Sequence, residues 1–291
     1  MFCRLMSSIH VQESLPYFAE KTPLGRCEWT RGSDNWMYLK NALPWAELQG
    51  APLQELGSAV IFRAGCYEAS KQIINEQELA KKLDGSNVYQ MLSTLFIAYR
   101  SSRGWRVAFA PIQNTAEGVK VAIEGQELNA KGQELILPLE GLVGDMIAQA
   151  KKSRRIVLPL ESTPLDLSTA PSKGGSEYAK NDHVIALHGG GSVGREIAEI
   201  HAGYLHDCNK PVGVVYELTM TNLDGILPKN DSLANTHAVI RRVGLGGVGY
   251  GNFNDVGAGG YFSGVGRARG EVHVVAQKIS AKHGSKCSVR A

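Results

Sequence analysis

Hydrophobic positions along this chain alternate between short continuous runs and spaced, one-faced patterns. Ser58 to Phe62 (SAVIF) is a continuous apolar run ending at Arg63, the pattern of a buried strand. Glu68 to Leu83 places Ile73, Ile74, Leu79 and Leu83 on one face, and Val88 to Tyr99 does the same with Leu92, Leu95, Phe96 and Tyr99, so both predict helices. The DGSN turn, Asp84 to Asn87, separates them and supplies an N-cap. Trp105 to Ile112, Val119 to Ile123 and Gln133 to Leu137 predict strands. Leu142 to Lys152 is an amphipathic helix ending in two lysines, the charge that suits a helix C-terminus. Ile156 to Leu160 is another short strand pattern.

Glu161 to Asp182 is rich in Ser, Thr, Pro and Gly and predicts a linker or long loop. Beyond it, Val184 to Leu187 predicts a strand, His188 to Gly194 (HGGGSVG) a turn, Arg195 to Leu205 a helix and Pro211 to Leu218 a strand. His201 and His206 fall on that helix as partly exposed positions. From Gly244 to Gly270, eleven of 27 residues are glycine, which predicts a mobile loop; Glu271 to Ile279 then alternates as a late strand. Residues 1–57 hold three of the four tryptophans among polar residues and prolines, and predict an irregular or short-helical region.

Composition narrows the function classes. The 291 residues are 43% hydrophobic and 20% charged, ordinary for a globular chain. With 31 Lys and Arg against 28 Asp and Glu, the net charge of +3 gives no footprint for nucleic acid. No apolar run reaches the ~18 residues of a membrane span. Met1 to Gln12 lacks the apolar core of a Sec-type signal, so the expected location is cytoplasmic, or inside a host cell after delivery by another route. Five scattered cysteines form no C-x-x-C pair, so neither a zinc site nor a dithiol motif is expected and no metal is assigned.

Two glycine features carry candidate chemistry. Gly189, Gly191 and Gly194 fit G-x-G-x-x-G between a predicted strand and a predicted helix, where bare N–H groups at a helix start can hold a pyrophosphate. Glu217 follows the last of them by 23 positions, as a ribose-binding carboxylate would. His188 to Gly191 also has the form of a hydrolase oxyanion turn, but no G-x-S-x-G nucleophile elbow accompanies it: Ser263 lies in GYFSGVG.

A third pattern is dispersed. VIFRAG ends in Arg63, VIALHGGGSVGREIAEI is followed by GVVYELTMTNLDG with Tyr216 at its centre, and EVHVVAQKIS begins at Glu271. This order resembles the bacterial ADP-ribosyltransferase toxins of the pertussis- and cholera-like group, over about 60 residues in three islands. The resemblance implies that Arg63 anchors NAD, that Glu271 is the catalytic glutamate and that Val214 to Leu218 backs the nicotinamide pocket. It departs from the family at Ala186-Leu187-His188, where Ser-Thr-Ser is usual, and at Arg269, where Glu or Gln often stands. NAD cleavage passes through an oxocarbenium-like state that a carboxylate beside the ribose can stabilise, and an arginine fork suits the diphosphate.

The expectation is a mixed α/β (α+β) chain with a compact mixed sheet of ADP-ribosyltransferase type. Residues 1–57 would form the N-terminal region, and 58–291 one catalytic-like domain with an insertion over about 64–182 and a glycine-rich loop at 244–270. The expected function is an NAD-consuming ADP-ribosyltransferase or NAD glycohydrolase, a toxin or effector acting on a protein acceptor or host partner. Glu271 would be catalytic, and Arg63, His188, Gly189, Gly191, Gly194 and Tyr216 would bind NAD. The alternatives are a nucleotide-binding protein using the HGGGSVG turn and a catalytically degenerate interaction protein of the same fold.

Overall fold

The computed structural model describes residues 17–72, 90–159, 165–167, 171–172, 176–209, 212–215, 220–246, 256–260, 262 and 266–274. In chain order the elements are β1 (Tyr17–Thr22), β2 (Gly25–Trp29), α1 (Leu39–Leu48), α2 (Leu56–Gln72), β3 (Gln90–Ser101), β4 (Gly104–Pro111), α3 (Ala116–Ala130), β5 (Leu135–Pro138) and α4 (Leu142–Lys152). They continue with β6 (Ile156–Val157), β7 (Leu165–Leu167), α5 (Ser176–Ala179), α6 (Asp182–Leu187), α7 (Gly191–Asp207), β8 (Val212–Val215), α8 (Met220–Ile226), β9 (His237–Leu245), β10 (Val256–Gly260) and β11 (Glu271–Val274). Among the described residues no helix is long and apolar enough to cross a membrane.

The main sheet runs β6-β4-β3-β9-β10-β8-β7, with β5 also on β9. Its pairs are antiparallel except β8 with β10. The long β3–β4 hairpin forms its centre, closing from Thr94↔Pro111 to Ser101↔Gly104. A smaller antiparallel sheet, β1-β2-β11, joins the two ends of the described chain through pairs such as Trp29↔Glu271.

Both faces of the main sheet are covered, and strand alternation divides the core in two. Leu92, Phe96, Val107, Phe109, Val239 and Val243 face one layer with α2, α6 and α7. Leu95, Ile97, Ala108, Ala110, Ala238 and Ile240 face the other, with α1, α3 and α4. A strand buried on both faces has no polar face, so its apolar pattern resembles that of a helix. This is why Val88 to Tyr99, expected as a helix, is strand β3 from Gln90 onward. The converse holds for SAVIF: it lies inside α2, whose residues from Leu56 to Cys66 are all buried. Described residues of the expected helix from Glu68 also belong to α2, and the remainder lies outside the described residues.

Val119 to Ile123 belongs to α3, whose N-cap Thr115 accepts a hydrogen bond from the Gly118 N–H through its side chain. Val184 to Leu187 belongs to α6, capped by Asn181, which accepts from the N–H groups of His183 and Val184. The expected linker over 161–182 contains β7 and α5. The described part of the N-terminal region holds the helix α1, as a short-helical region would, and also the strands β1 and β2, which were not expected; Trp29 of β2 is buried and donates its Nε1–H to Ser58 Oγ at 2.7 Å. Residues 64–182 supply the central strands β3 and β4 instead of standing outside the sheet. Within 244–270, expected as a loop, the described residues include strand pairing: Gly244 and Leu245 end β9, β10 spans Val256–Gly260, and Gly266, Arg267 and Gly270 bridge to Met37, Gln90 and Leu53. The other residues of that stretch, and the Met1 to Gln12 segment, lie outside the described residues. Mixed helix and sheet architecture is as expected from the sequence.

Candidate functional site

Arg63 is not a strand end but the middle of α2, only 2% exposed. Its guanidinium donates to the carbonyls of Gly246 (2.5 Å) and Leu245 (3.4 Å), tying α2 to the end of β9. Glu271 opens β11 as expected and is 3% exposed. Its Oε1 accepts from the Glu55 backbone N–H at 3.1 Å, and the adjoining Leu56 N–H donates to Thr94 Oγ1 at 3.1 Å. The carboxylate therefore caps α2 from 216 residues away, where the helix end is positive. Arg63 sits eight residues from Glu55, about 12 Å along the helix axis at a 1.5 Å rise per residue.

This cap predicts a stability effect. Glu271→Ala is expected to lower the unfolding free energy by about 1–3 kcal/mol, because it leaves a buried N–H without its acceptor. Glu271→Gln keeps an acceptor oxygen and is expected to cost less. Urea unfolding of the three proteins checks this; equal midpoints would remove the capping role.

The glycine-rich turn joins two helices, so no strand precedes it and the dinucleotide-binding context is not formed. His188 is the C-cap of α6 and is fully buried. Gly189, Gly190 and Gly191 follow with φ of 127°, 77° and 56°, values that favour glycine. The Gly190 N–H closes onto Ile185 O at 2.8 Å, ending α6. A Cβ on Gly194 would lie 2.2 Å from Ile185 O, so the last glycine permits close approach of α6 and α7. The G-x-G-x-x-G spacing thus has a packing cause. Tyr216, the remaining expected contact, lies outside the described residues, as do Tyr250, Phe253 and Tyr261.

Beside this turn opens a cleft of about 1030 Å³. Its walls are Arg106 of β4, Arg154, residues 156–159, Asp182, His183 and Ile185 of α6, and Gly191, Ser192, Arg195, Glu196 and Glu199 of α7. Among the described residues expected from sequence, Gly191 alone lines it; Arg63 and Glu271 do not.

Arg154 explains how the cleft is built. It follows the α4 C-cap Ser153 with φ of 56°, a left-handed position usually given to glycine. Arg154 N–H donates to Lys151 O (3.2 Å) and Arg155 N–H to Ala150 O (2.8 Å), the double bond pattern of a Schellman ending. This sharp exit carries the Arg154 side chain to α7, with its Cδ 3.6 Å from the position a Cβ would take on Gly191. The first N–H groups of a helix have no intrahelical partner, so positive character gathers there.

Along α7, Ser192, Arg195, Glu196 and Glu199 share one stripe at spacings of 3, 4 and 7 residues. The cleft is consequently cationic at the helix start and carboxylate-bearing two turns on. Leu158, 60% exposed, also lines the cleft and adds an apolar surface. His183 also lines the cleft; burial lowers its pKa, opposed by the hydrogen bond its ring donates to the Leu158 backbone carbonyl and by Asp182.

Beneath the turn lies a polar cluster that no spacing in the sequence marks. His201 is buried, not partly exposed, and its Nδ1 is 3.0 Å from both Tyr178 Oη and His188 Nε2. His188 Nδ1 is 2.7 Å from Val184 O. Burial pushes the His188 imidazole down to about 4 and His201 well below its usual value; Arg155 acts the same way on His188, and His188 and Arg63 on His201. Burial raises the Tyr178 phenol.

The sequence signal that could have located the cleft is the KKSRR run at the end of α4, where a Gly would be usual at position 154. Compared with protein-family models, curated proteins and solved structures, the chain matches none of them, and its functional reading rests on the geometry above.

Proposed function

We propose that the protein binds a phosphate-bearing small molecule of the nucleotide class in the cleft at the start of α7. The observation that carries this reading is the convergence of Arg154 and the Gly191 helix start on one side of a cleft that Arg195 and Arg106 also line. Helix N–H groups and planar guanidinium forks both suit phosphate oxygens. Glu196 and Glu199 can accept from ribose hydroxyls or an amino group, and Leu158 offers an apolar contact for a planar ring.

ADP and NAD are the probes. Arg154→Gly relieves a left-handed cost of about 1–2 kcal/mol but adds about 0.4–1 kcal/mol of unfolded-chain entropy, so it is expected to keep the fold with little loss of stability. It is also expected to weaken binding by about 10- to 100-fold, the loss of a charge-assisted hydrogen bond. Calorimetric titration decides: no binding by wild type, or equal binding by the variant, overturns the reading.

Binding is favoured over NAD cleavage by the environments of the two residues that cleavage needs. Glu271 caps α2 and Arg63 holds backbone carbonyls, so neither lines this cleft. NAD is expected to bind without release of nicotinamide. Release that Glu271→Gln abolishes would reinstate ADP-ribosyl chemistry.

A further inference from the structure

We propose that the buried Tyr178, His188 and His201 form an acid-sensitive latch that holds the α6–α7 turn, and with it one wall of the cleft. The latch is a property of the fold; its consequence for ligand rests on the binding reading above.

Hydrogen-bond directions follow from the geometry. Val184 O can only accept, so His188 Nδ1, 2.7 Å away, carries the proton and Nε2 keeps its lone pair. His201 Nδ1, 3.0 Å from Nε2, must then donate to it. Tyr178 Oη, 3.0 Å from the same Nδ1, completes the group. The rings pack with centroids 5.3 to 5.8 Å apart. Side chains of α5, of the α6 C-cap and of α7 are joined, and His188 immediately precedes the three glycines of the turn.

A further proton is disfavoured at both open nitrogens: on His201 Nε2 it would place a charge on a side chain only 2% exposed, with the cationic Arg63 acting on it. On His188 Nε2 it would set two N–H donors facing each other across 3.0 Å. The charged neighbours acting on the pair are Arg63 from α2 and Arg155 from the α4–β6 connection, both cationic. Glu55, at the head of α2, is engaged by Arg155 Nη1 at 2.5 Å. On α6, Asp182 is exposed and His183 lines the cleft; on α7, Tyr204 stacks on His201 and is uncharged. Protonation therefore drives His188 out of the core, and the turn, which packs on Gly57 and on the Ser153 and Arg154 carbonyls, moves with it. The depressed basicity of both imidazoles fits this coupling: they gain protons by becoming exposed.

The test is hydrogen exchange of the full chain at pH 7.5 and 5.0, corrected for the intrinsic pH dependence of exchange. Protection over residues 176–207 is expected to fall at least 10-fold at the lower pH while residues 90–111, the β3–β4 hairpin, stay protected. The double variant His188→Asn/His201→Asn has no imidazole in the cluster and is expected to lose that selective fall. An equal fall in both segments, or an undiminished selective fall in the double variant, overturns the proposal. Should the variant not fold, NMR titration of the wild-type imidazoles decides: two that titrate near pH 6.5 with protection over 176–207 intact would also overturn it. NAD, whose diphosphate keeps its charge over this range, is expected to bind at least 10-fold more weakly at pH 5.0 by the wild type, and equally at both pH values by the double variant. NAD binding at neither pH, with selective exchange present, removes the ligand reading and leaves the latch.

Discussion

Gly190→Ala is expected to destabilise the protein by about 2–5 kcal/mol, adding a left-handed penalty of about 1–2 to an overpacking cost of about 1–3. The residue has φ of 77°, and an added Cβ would meet Ser153 O at 2.1 Å, Arg154 O at 2.7 Å and Arg155 Cγ at 2.8 Å. Two of these are backbone atoms of the connection that carries Arg154, so relief requires moving the cleft wall. Gly104 supplies the control: its φ is 94°, but nothing lies within 4 Å of an added Cβ. Gly104→Ala should show the conformational cost alone. Urea unfolding of both variants separates the two contributions, and equal losses would mean that the turn does not press on the end of α4.

Acidification is the second large effect. The folded His188 has its pKa near 4, below the unfolded value near 6.5. Between these values the unfolded chain binds more protons, so stability rises with pH across that window. Its contribution is complete above about pH 6.5 and is lost as pH falls toward 4, amounting to about 3 kcal/mol for His188. His201 shifts in the same direction and deepens the loss. Asp224, held below its usual range by hydrogen bonds from Trp105 and Arg100, titrates at still lower pH. Unfolding free energies measured from pH 7.5 to 4.5 should fall steeply below 6.5, and a flat profile would show that the imidazoles are already accessible in the folded protein.

Several elements with one buried face were legible in the sequence, although α3, expected as a strand over Val119 to Ile123, was not. Leu142 to Lys152 is α4 to the residue, because Val143, Met146 and Ala150 point inward and the opposite side is polar. Strand β4 and the start of β11 at Glu271 were legible from alternation, and α7 from its own one-sided pattern. Where an element is buried all round, the period disappears: α2 resembles a strand and β3 a helix. Short α6 was hidden for another reason, since VIAL has no polar residue and its start is marked only by the Asn181 cap.

The site divides along the same line. The amino-acid sequence by itself determined that three consecutive glycines and Gly194 would make a special turn at the head of a helix, since their backbone freedom is intrinsic. It also determined that Glu271 would begin a strand. What those residues touch was decided only by tertiary structure. Glu271 meets the α2 end across 216 positions, Arg63 meets carbonyls of β9, and Arg154 meets Gly191 because a left-handed residue redirects the chain. Contacts of that kind leave no periodic trace, because each depends on where two remote backbones approach and not on the pattern within either segment.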